Sequence, residues 1–265
     1  MKISDIKLGK TSCRLVVEDT TPYFMNSLRR VILSEIPKLA VSHITVYDNN
    51  SALFDEIIAH RIGMIPLPTK LDLLGFRNEC ACEGKGCPNC TVLYTLSKEG
   101  PCTVYSGDLQ PQDKMWAPVD GNIPIVKLTE GQRLILEAEA VLGRGKDHAK
   151  WQVASGVGYK YYPIIEIDES KCDLCGKCVE ACPKDILEIK NNKLIIRDIE
   201  KCSMCKSCME KCEKDAINVK GDESKFIFKF ETDGSLSAKE VLEKALEILS
   251  NRYKEIYKQV GRKIK

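Results

Sequence analysis

The sequence predicts an α+β fold that carries cysteine-rich modules, and three observations lead to that class. Short segments of alternating apolar and polar residues are interspersed with two amphipathic segments of helical period, one near each end of the chain. A four-cysteine run recurs at a constant offset of thirty residues, from "KCDLCGKCVEACPKD" to "KCSMCKSCMEKCEKD". Four more cysteines crowd into "CACEGKGCPNC". At 265 residues, 43% hydrophobic and 29% charged, the chain has the composition of a soluble globular protein of roughly two domains.

Taken in order, "ISDIKLGKTSCRLVVED" reads as two strands. The stretch "TPYFMNSLRRVILSEIP" then opens a helix from Pro22 to Glu35, with Thr21 as cap, Pro22 at the first helical position and Pro37 beyond its end. Phe24, Leu28, Val31, Ile32 and Ile36 form its apolar stripe, which an ordinary core helix would also show. "LAVSHITVYDNNSALF" is a strand followed by a turn, and "DEIIAHRIGMIPLPT" a short helix capped by Asp55 and stopped by Gly63 and Pro66. The clearest strand is "QRLILEAEAVLG", where Leu134, Leu136, Ala138, Ala140 and Leu142 alternate toward one face. "GRGKDHAKW" after it lacks the phosphate-loop pattern and reads as a structural turn.

The last segment supplies a strand, a turn at Asp233 and Gly234, and a long helix from Ser237 to Val260 begun by a capping box between Ser237 and Glu240. Leu242, Leu246, Leu249, Tyr253, Ile256 and Val260 step by four and three alternately, a seam suited to another helix. A second line through Val241, Ala245, Ile248 and Tyr257 widens the apolar face beyond one neighbour. Partner binding ranks just ahead of packing wholly within the chain's own domain.

The start "MKISDIKLGK" has no apolar leader and the apolar runs are short, so neither export nor a membrane is expected and the location is cytoplasmic. Fourteen cysteines in a reducing compartment point to metals rather than a disulfide framework. Eight lie in the repeat. The spacing C-x2-C-x2-C-x3-C wraps three thiolates around one iron-sulfur cube and sends the fourth to the cube of the other copy. One [4Fe-4S] cluster is thereby assigned to Cys172, Cys175, Cys178 and Cys212, and a second to Cys202, Cys205, Cys208 and Cys182. Zinc in both halves is the weaker alternative. Gly176 and Ser207 let backbone N–H groups approach, Pro183 ends the first run, and Glu213 replaces that proline in the second. The segments "ILEI", "LII", "AINV" and "FIFKF" are expected to pair as strands over the clusters. Cys80, Cys82, Cys87 and Cys90 suit tetrahedral zinc on short knuckles, with a disulfide pair or an empty thiol loop as alternatives. Cys13 and Cys102 read as buried small hydrophobes.

His43, His60 and His148 are far apart in sequence, no nucleophile or metalloprotease motif occurs, and no catalytic residue is assigned. A net charge of +2 with both signs intermixed argues against direct nucleic-acid binding. Two function classes compete: a non-catalytic assembly scaffold, and an electron-transfer subunit of a redox enzyme. The second would need a flavin or nicotinamide partner, for which the chain has no fingerprint.

At "FMNSLRRVILSEIPKLAV", "LFDEIIAHRIGMIPLP", "GRGKDHAKWQ" and "FETDGSLSAKEVLEKALEIL" the sequence resembles the D-type subunits of archaeal RNA polymerase. It is similar as well to the third-largest eukaryotic polymerase subunit and the amino-terminal domain of bacterial alpha. The likeness covers nearly the whole chain, in the family's order. It implies a discontinuous dimerisation domain of strands plus two helices (1–36 plus 221–265), an inserted mainly-β domain with the zinc knuckle (37–163) and a ferredoxin-like α+β domain (164–220). It also implies pairing with the small subunit L through Phe24, Leu28, Val31, Ile32, Leu242, Leu246, Leu249, Tyr253 and Ile256. The heterodimer would then gather the large catalytic subunits and small assembly subunits, with the catalytic Mg2+ aspartates on another chain. Eukaryotic relatives carry zinc at the knuckle, and members of the family differ in how many cluster ligands they keep. All eight are present here, which implies two [4Fe-4S] clusters.

Overall fold

The computed structural model describes residues 1–263. In chain order the strands are β1 (Lys2–Leu8), β2 (Ser12–Glu18), β3 (Pro37–Asn49), β4 (Thr91–Glu99), β5 (Cys102–Tyr105), β6 (Gln110–Pro111), β7 (Pro124–Leu128), β8 (Arg133–Arg144), β9 (Ala154–Ile167), β10 (Leu187–Lys190), β11 (Lys193–Ile196) and β12 (Ile217–Thr232). The helices are α1 (Pro22–Ser34), α2 (Asp55–Gly63), α3 (Lys177–Glu180), α4 (Ser207–Glu210) and α5 (Ala238–Lys263). The fold is mixed α+β. It divides into two compact units, one of residues 1–7, 14–26 and 158–229, the other of 8–13, 27–157 and the chain from Phe230 on.

In the first unit a sheet of order β1-β2-β12-β9 runs for most of its length. Leu15, Val16 and Val17 in β2 and Phe226, Ile227 and Phe228 in β12 are buried in succession, the pattern of central strands covered on both faces. The duplicated segment contributes α3, α4 and the hairpin β10–β11, whose register places Leu187 opposite Ile196. Its two-residue turn is Asn191–Asn192, both at positive φ (51° and 58°), as a tight hairpin turn with the right-handed twist requires. Only "ILEI" and "LII" make a separate pair. "AINV" and "FIFKF", expected as two strands, are one: the polar stretch between them stays extended, and the Thr20 N–H donates to its Ser224 carbonyl at 3.1 Å. A polar pattern there reflects exposed side chains on a backbone that is still paired.

In the second unit the sheet has order β3-β8-β4-β6, beside a β5–β7 ladder. Along β8, Leu134, Leu136, Ala138, Ala140 and Leu142 all face inward, as their alternation requires. They pack with Leu39, Val41, Ile58, Ile62 and Leu96 in one core. Buried Tyr94 keeps its hydroxyl satisfied by donating to the Trp116 carbonyl at 2.7 Å. The cap of α2 differs from expectation: Phe54 is the N-cap, and Asp55 is the first helical residue, its carboxylate accepting from Asn49 Nδ2 at 2.7 Å. The negative charge still lies at the helix N-terminus, where the dipole favours it. In "GRGKDHAKW" the glycines allow close packing. A Cβ on Gly143 would lie 2.2 Å from the Trp151 indole, and one on Gly145 2.1 Å from the Leu33 carbonyl oxygen.

The start of α5 is closely held. The Ala238 N–H donates to Lys10 O at 2.9 Å, and buried Lys38 pairs with Asp233 in the preceding turn. The capping box is present: Ser237 N–H donates to Glu240 Oε2 at 2.8 Å, and Glu240 N–H returns to Ser237 Oγ at 3.3 Å. Among the described residues no helix is long and apolar enough to cross a membrane.

Candidate metal centres

The knuckle lies between α2 and β4, where two left-handed glycines (Gly84 at φ 79°, Gly86 at φ 90°) turn the chain tightly enough to face its thiols inward. The four sulfurs of Cys80, Cys82, Cys87 and Cys90 lie within 4.8 Å of one another. The Cys80–Cys87, Cys82–Cys90 and Cys87–Cys90 separations are 3.5, 3.6 and 3.8 Å. A tetrahedron with metal–sulfur bonds of about 2.3 Å has edges of roughly 3.8 Å, so the spacing fits one small tetrahedral ion. It is far beyond a sulfur–sulfur bond of about 2.05 Å, and every one of the fourteen cysteines is a free thiol. Burial pushes the Cys82 thiol up, but hydrogen bonds from Cys80, the Gly86 backbone and Cys90 outweigh it and bring it down to about 6. The Cys82 N–H favours the Cys80 thiolate, yet the thiols of Cys82 and Cys87 oppose it and push that group up to about 12. One thiolate is thus ready at neutral pH to begin binding a cation. Arg77, which the sequence did not single out, clamps the loop: its Nε donates to Gly84 O at 2.8 Å and its Nη1 to Glu139 at 2.9 Å. An isolated arginine beside a cysteine motif has no sequence signature.

In the first unit the duplication survives as backbone geometry. Leu174 and Met204, Gly176 and Lys206, and Asp185 and Asp215 are all left-handed, at matching positions of the two copies. The hydrogen bonds match too, Val179 N–H to Gly176 O (2.9 Å) against Met209 N–H to Lys206 O (2.8 Å). These turns aim the thiols into two separate cavities. One is lined by Cys172, Cys175, Cys178 and Cys212, the other by Cys182, Cys202, Cys205 and Cys208. The electrostatics divide in the same way. Burial, then the charges of Cys212, Cys172 and Cys175, push Cys178 up; burial, then Cys182 and Cys202, push Cys208 up. The Ser207 hydroxyl leads the bonds that hold Cys205 down. Glu213, standing where the first copy has Pro183, accepts from Lys177 Nζ at 2.6 Å and so links the two copies at the rim of the first cavity. Both side chains are exposed, so the pair adds little stability.

Cys13 is buried, and burial pushes its thiol up to about 11. Cys102 is only half-buried, because it opens β5 at the edge of its ladder, and its thiol donates to Glu99 O at 3.4 Å. The residues expected at a partner interface fall into two groups. Leu28, Val31, Ile32 and Leu249 are buried within the chain and Phe24 and Leu242 are half-buried, whereas Leu246, Tyr253 and Ile256 are exposed. On α5 the buried line is Ala238, Val241, Ala245 and Leu249, and from Ser250 to Arg262 every residue is exposed. Tyr257 is 81% exposed and Val260 49%, so the second half of the helix carries an apolar seam that the described residues leave uncovered.

Comparison with known proteins matches two stretches of the chain. Residues 43–168 match the RNA polymerase Rpb3/RpoA insert domain, and residues 165–188 a 4Fe-4S binding domain. The chain is 42% identical to the DNA-directed RNA polymerase subunit Rpo3 of Thermoplasma volcanium, covering 96% of this chain and 97% of that one. It is 45% identical to the Rpo3 of Methanothermobacter thermautotrophicus, over 93% and 94% of the two chains. To the Rpo3 of Archaeoglobus fulgidus it is 42% identical, over 92% of each.

Proposed function

The chain belongs to the Rpo3 family of archaeal DNA-directed RNA polymerase subunits, and from that membership we propose that it is the platform on which the catalytic subunits are assembled. Its part in transcription is non-catalytic. The observation that carries the reading is the conjunction of near full-length likeness to Rpo3 proteins with the uncovered apolar seam of α5. We read the chain as a dimerisation domain of residues 1–36 plus 221–265, interrupted by inserts at 37–163 and 164–220. The small subunit L would cover Leu246, Tyr253, Ile256 and Val260 on α5, with Leu242 at its margin, and we assign half-buried Phe24 of α1 to the same partner. Leu28, Val31, Ile32 and Leu249 would support that surface from beneath, since they are already buried.

The two cavities of the insert support two [4Fe-4S] clusters with crossed ligands, three thiolates from one run and one from the other. The knuckle supports a structural Zn2+ on Cys80, Cys82, Cys87 and Cys90. When bound, the clusters supply folding energy and a one-electron redox couple; the chain's thiols and left-handed turns supply their geometry. The test is anaerobic affinity purification of the tagged chain from its native host, followed by identification of co-purifying chains and iron and zinc counts. Polymerase large subunits and a small partner are expected, with iron and zinc both present. A preparation that brings down a flavin- or nicotinamide-dependent enzyme instead would overturn the proposal in favour of an electron-transfer role.

A further inference from the structure

The second cysteine run is attached to the four-stranded sheet by charged side chains, whereas among the described residues the turn before the first run carries only the exposed Lys193–Glu169 pair to β11. Lys160, on β9, donates from Nζ to Glu200 O at 2.6 Å and to Cys202 O at 2.7 Å. Arg14, on β2, pairs with the Glu200 carboxylate and with Asp5 at 2.7 Å. Glu200 and Lys201 belong to the single 3-10 turn that delivers Cys202. One cation thus holds two carbonyls of that turn while another holds its acid. At the equivalent positions thirty residues earlier, Ser170 and Cys172, no side chain among the described residues donates to either carbonyl. The electrostatic surroundings differ as well. Asp173 and Glu213 line the first cavity together with Lys177 and Lys214, so the charges there offset one another, whereas the second is lined by Lys184 and Lys206 with no acidic residue.

We propose that Lys160 is a positioning residue for the second iron-sulfur site: it locks the Cys202 turn onto the sheet and places a fixed positive charge beside a ligand of that cluster alone. The inference rests on the two-cluster reading above. Two consequences follow from charge and geometry. An ammonium next to the Cys202 carbonyl favours the extra negative charge of the reduced cluster, so the second cluster is the easier of the two to reduce. Without the tether, the Cys202 turn loses two charge-assisted hydrogen bonds, and its cluster is the first to be lost.

The experiment uses the full chain co-expressed with its small partner and purified anaerobically, as wild type, Lys160→Met, Lys160→Gln and Lys160→Arg. Iron is counted, and dithionite titrations are followed by electron paramagnetic resonance. The wild type is expected to hold about eight irons per chain and to reduce in two separable steps. Lys160→Met should fall to about four irons, with zinc and dimer yield unchanged, and Lys160→Arg should restore the loss. Lys160→Gln keeps a donor without the charge; it should keep its iron and move only the earlier reduction step, to lower potential. If Lys160→Met does not fold, the shift in Lys160→Gln decides alone. Full iron content with both steps unmoved in Lys160→Met and Lys160→Gln, or equal loss of both clusters in Lys160→Met, would overturn the proposal while leaving the two-cluster reading intact. A wild type with only about four irons would overturn that reading, and the proposal with it.

Discussion

Cys182 belongs to the first cysteine run by sequence, yet its thiol lines the cavity of the second, and Cys212 is exchanged in the opposite direction. On the two-cluster proposal, Cys182→Ala should therefore destroy the cluster assigned to Cys202, Cys205 and Cys208 and spare the one assigned to Cys172. Anaerobic iron counts should drop to about half, and the remaining paramagnetic signal should be the one that Cys212→Ala abolishes. Loss of both clusters in each variant would sink the crossed assignment. The division of the eight thiols into two crossed sets was legible because thiols at this spacing have one dominant use. What surrounds them was less so. Gly176 was read as a small residue that lets backbone N–H groups approach; it is left-handed, and its counterpart Lys206 takes the same conformation (φ 63°) with a Cβ that disfavours it, at a cost of about 1 kcal/mol. Backbone geometry dictated by the repeat overrides local preference there. Arg77 and Lys160 act through carbonyl oxygens, which every residue possesses, so no residue pattern announces them.

At the level of elements, the junction of α1 and α5 is set by Glu35. Its carboxylate, just past the last residue of α1, accepts from Arg252 on α5 at 2.8 Å and lies 3.5 Å from Lys146 in the turn after β8. Burial pushes the Glu35 carboxyl up, but Arg252 and Lys146 outweigh it and hold it below its ordinary value of 4.5. A carboxyl lowered in the folded state contributes stability that is present above its unfolded pKa and is lost as pH falls through the folded one. Wild type should accordingly exceed Glu35→Gln by about 1 kcal/mol at neutral pH, and the gap should begin to shrink near pH 4.5 and close as pH falls through the lower folded value. Urea titrations at pH 7 and pH 3.5 measure it; a gap undiminished at the lower pH contradicts the ion-pair account. Both helices were legible from caps and periodicity, and α5 starts at the capping box as expected. Which residues of its wide apolar face stay uncovered was not legible, because burial is decided by neighbours distant in sequence. The single 16-residue strand β12 was missed for a related reason: its ladder partners lie in β2 and β9.

For the molecule as a whole, the two metal modules sit in very different surroundings, and this decides what metal removal does. The core around the duplicated runs is thin: its buried members are three of the cysteines themselves with Ile186, Leu187, Ile217 and Val219. So small a core cannot offset the conformational entropy of ordering the segment, and cluster binding energy must serve as its folding energy. The cysteine knuckle, by contrast, lies at the N-terminal end of β4, whose Val92, Tyr94 and Leu96 belong to an extensive core built without it. Removing iron from the anaerobically purified chain should therefore melt the hairpin β10–β11 together with α3 and α4, raising their amide exchange at least about a hundredfold. Removing zinc with a chelator should speed exchange only over residues 76–91 and leave β4 and β8 protected. Hydrogen exchange read by mass spectrometry separates the two, since the segments give different peptides. If the hairpin stays protected without iron, the clusters are not a folding requirement, and a redox role would be the better account of why the chain carries them. If β4 and β8 open on loss of zinc, the knuckle is a keystone of the second unit rather than a local staple.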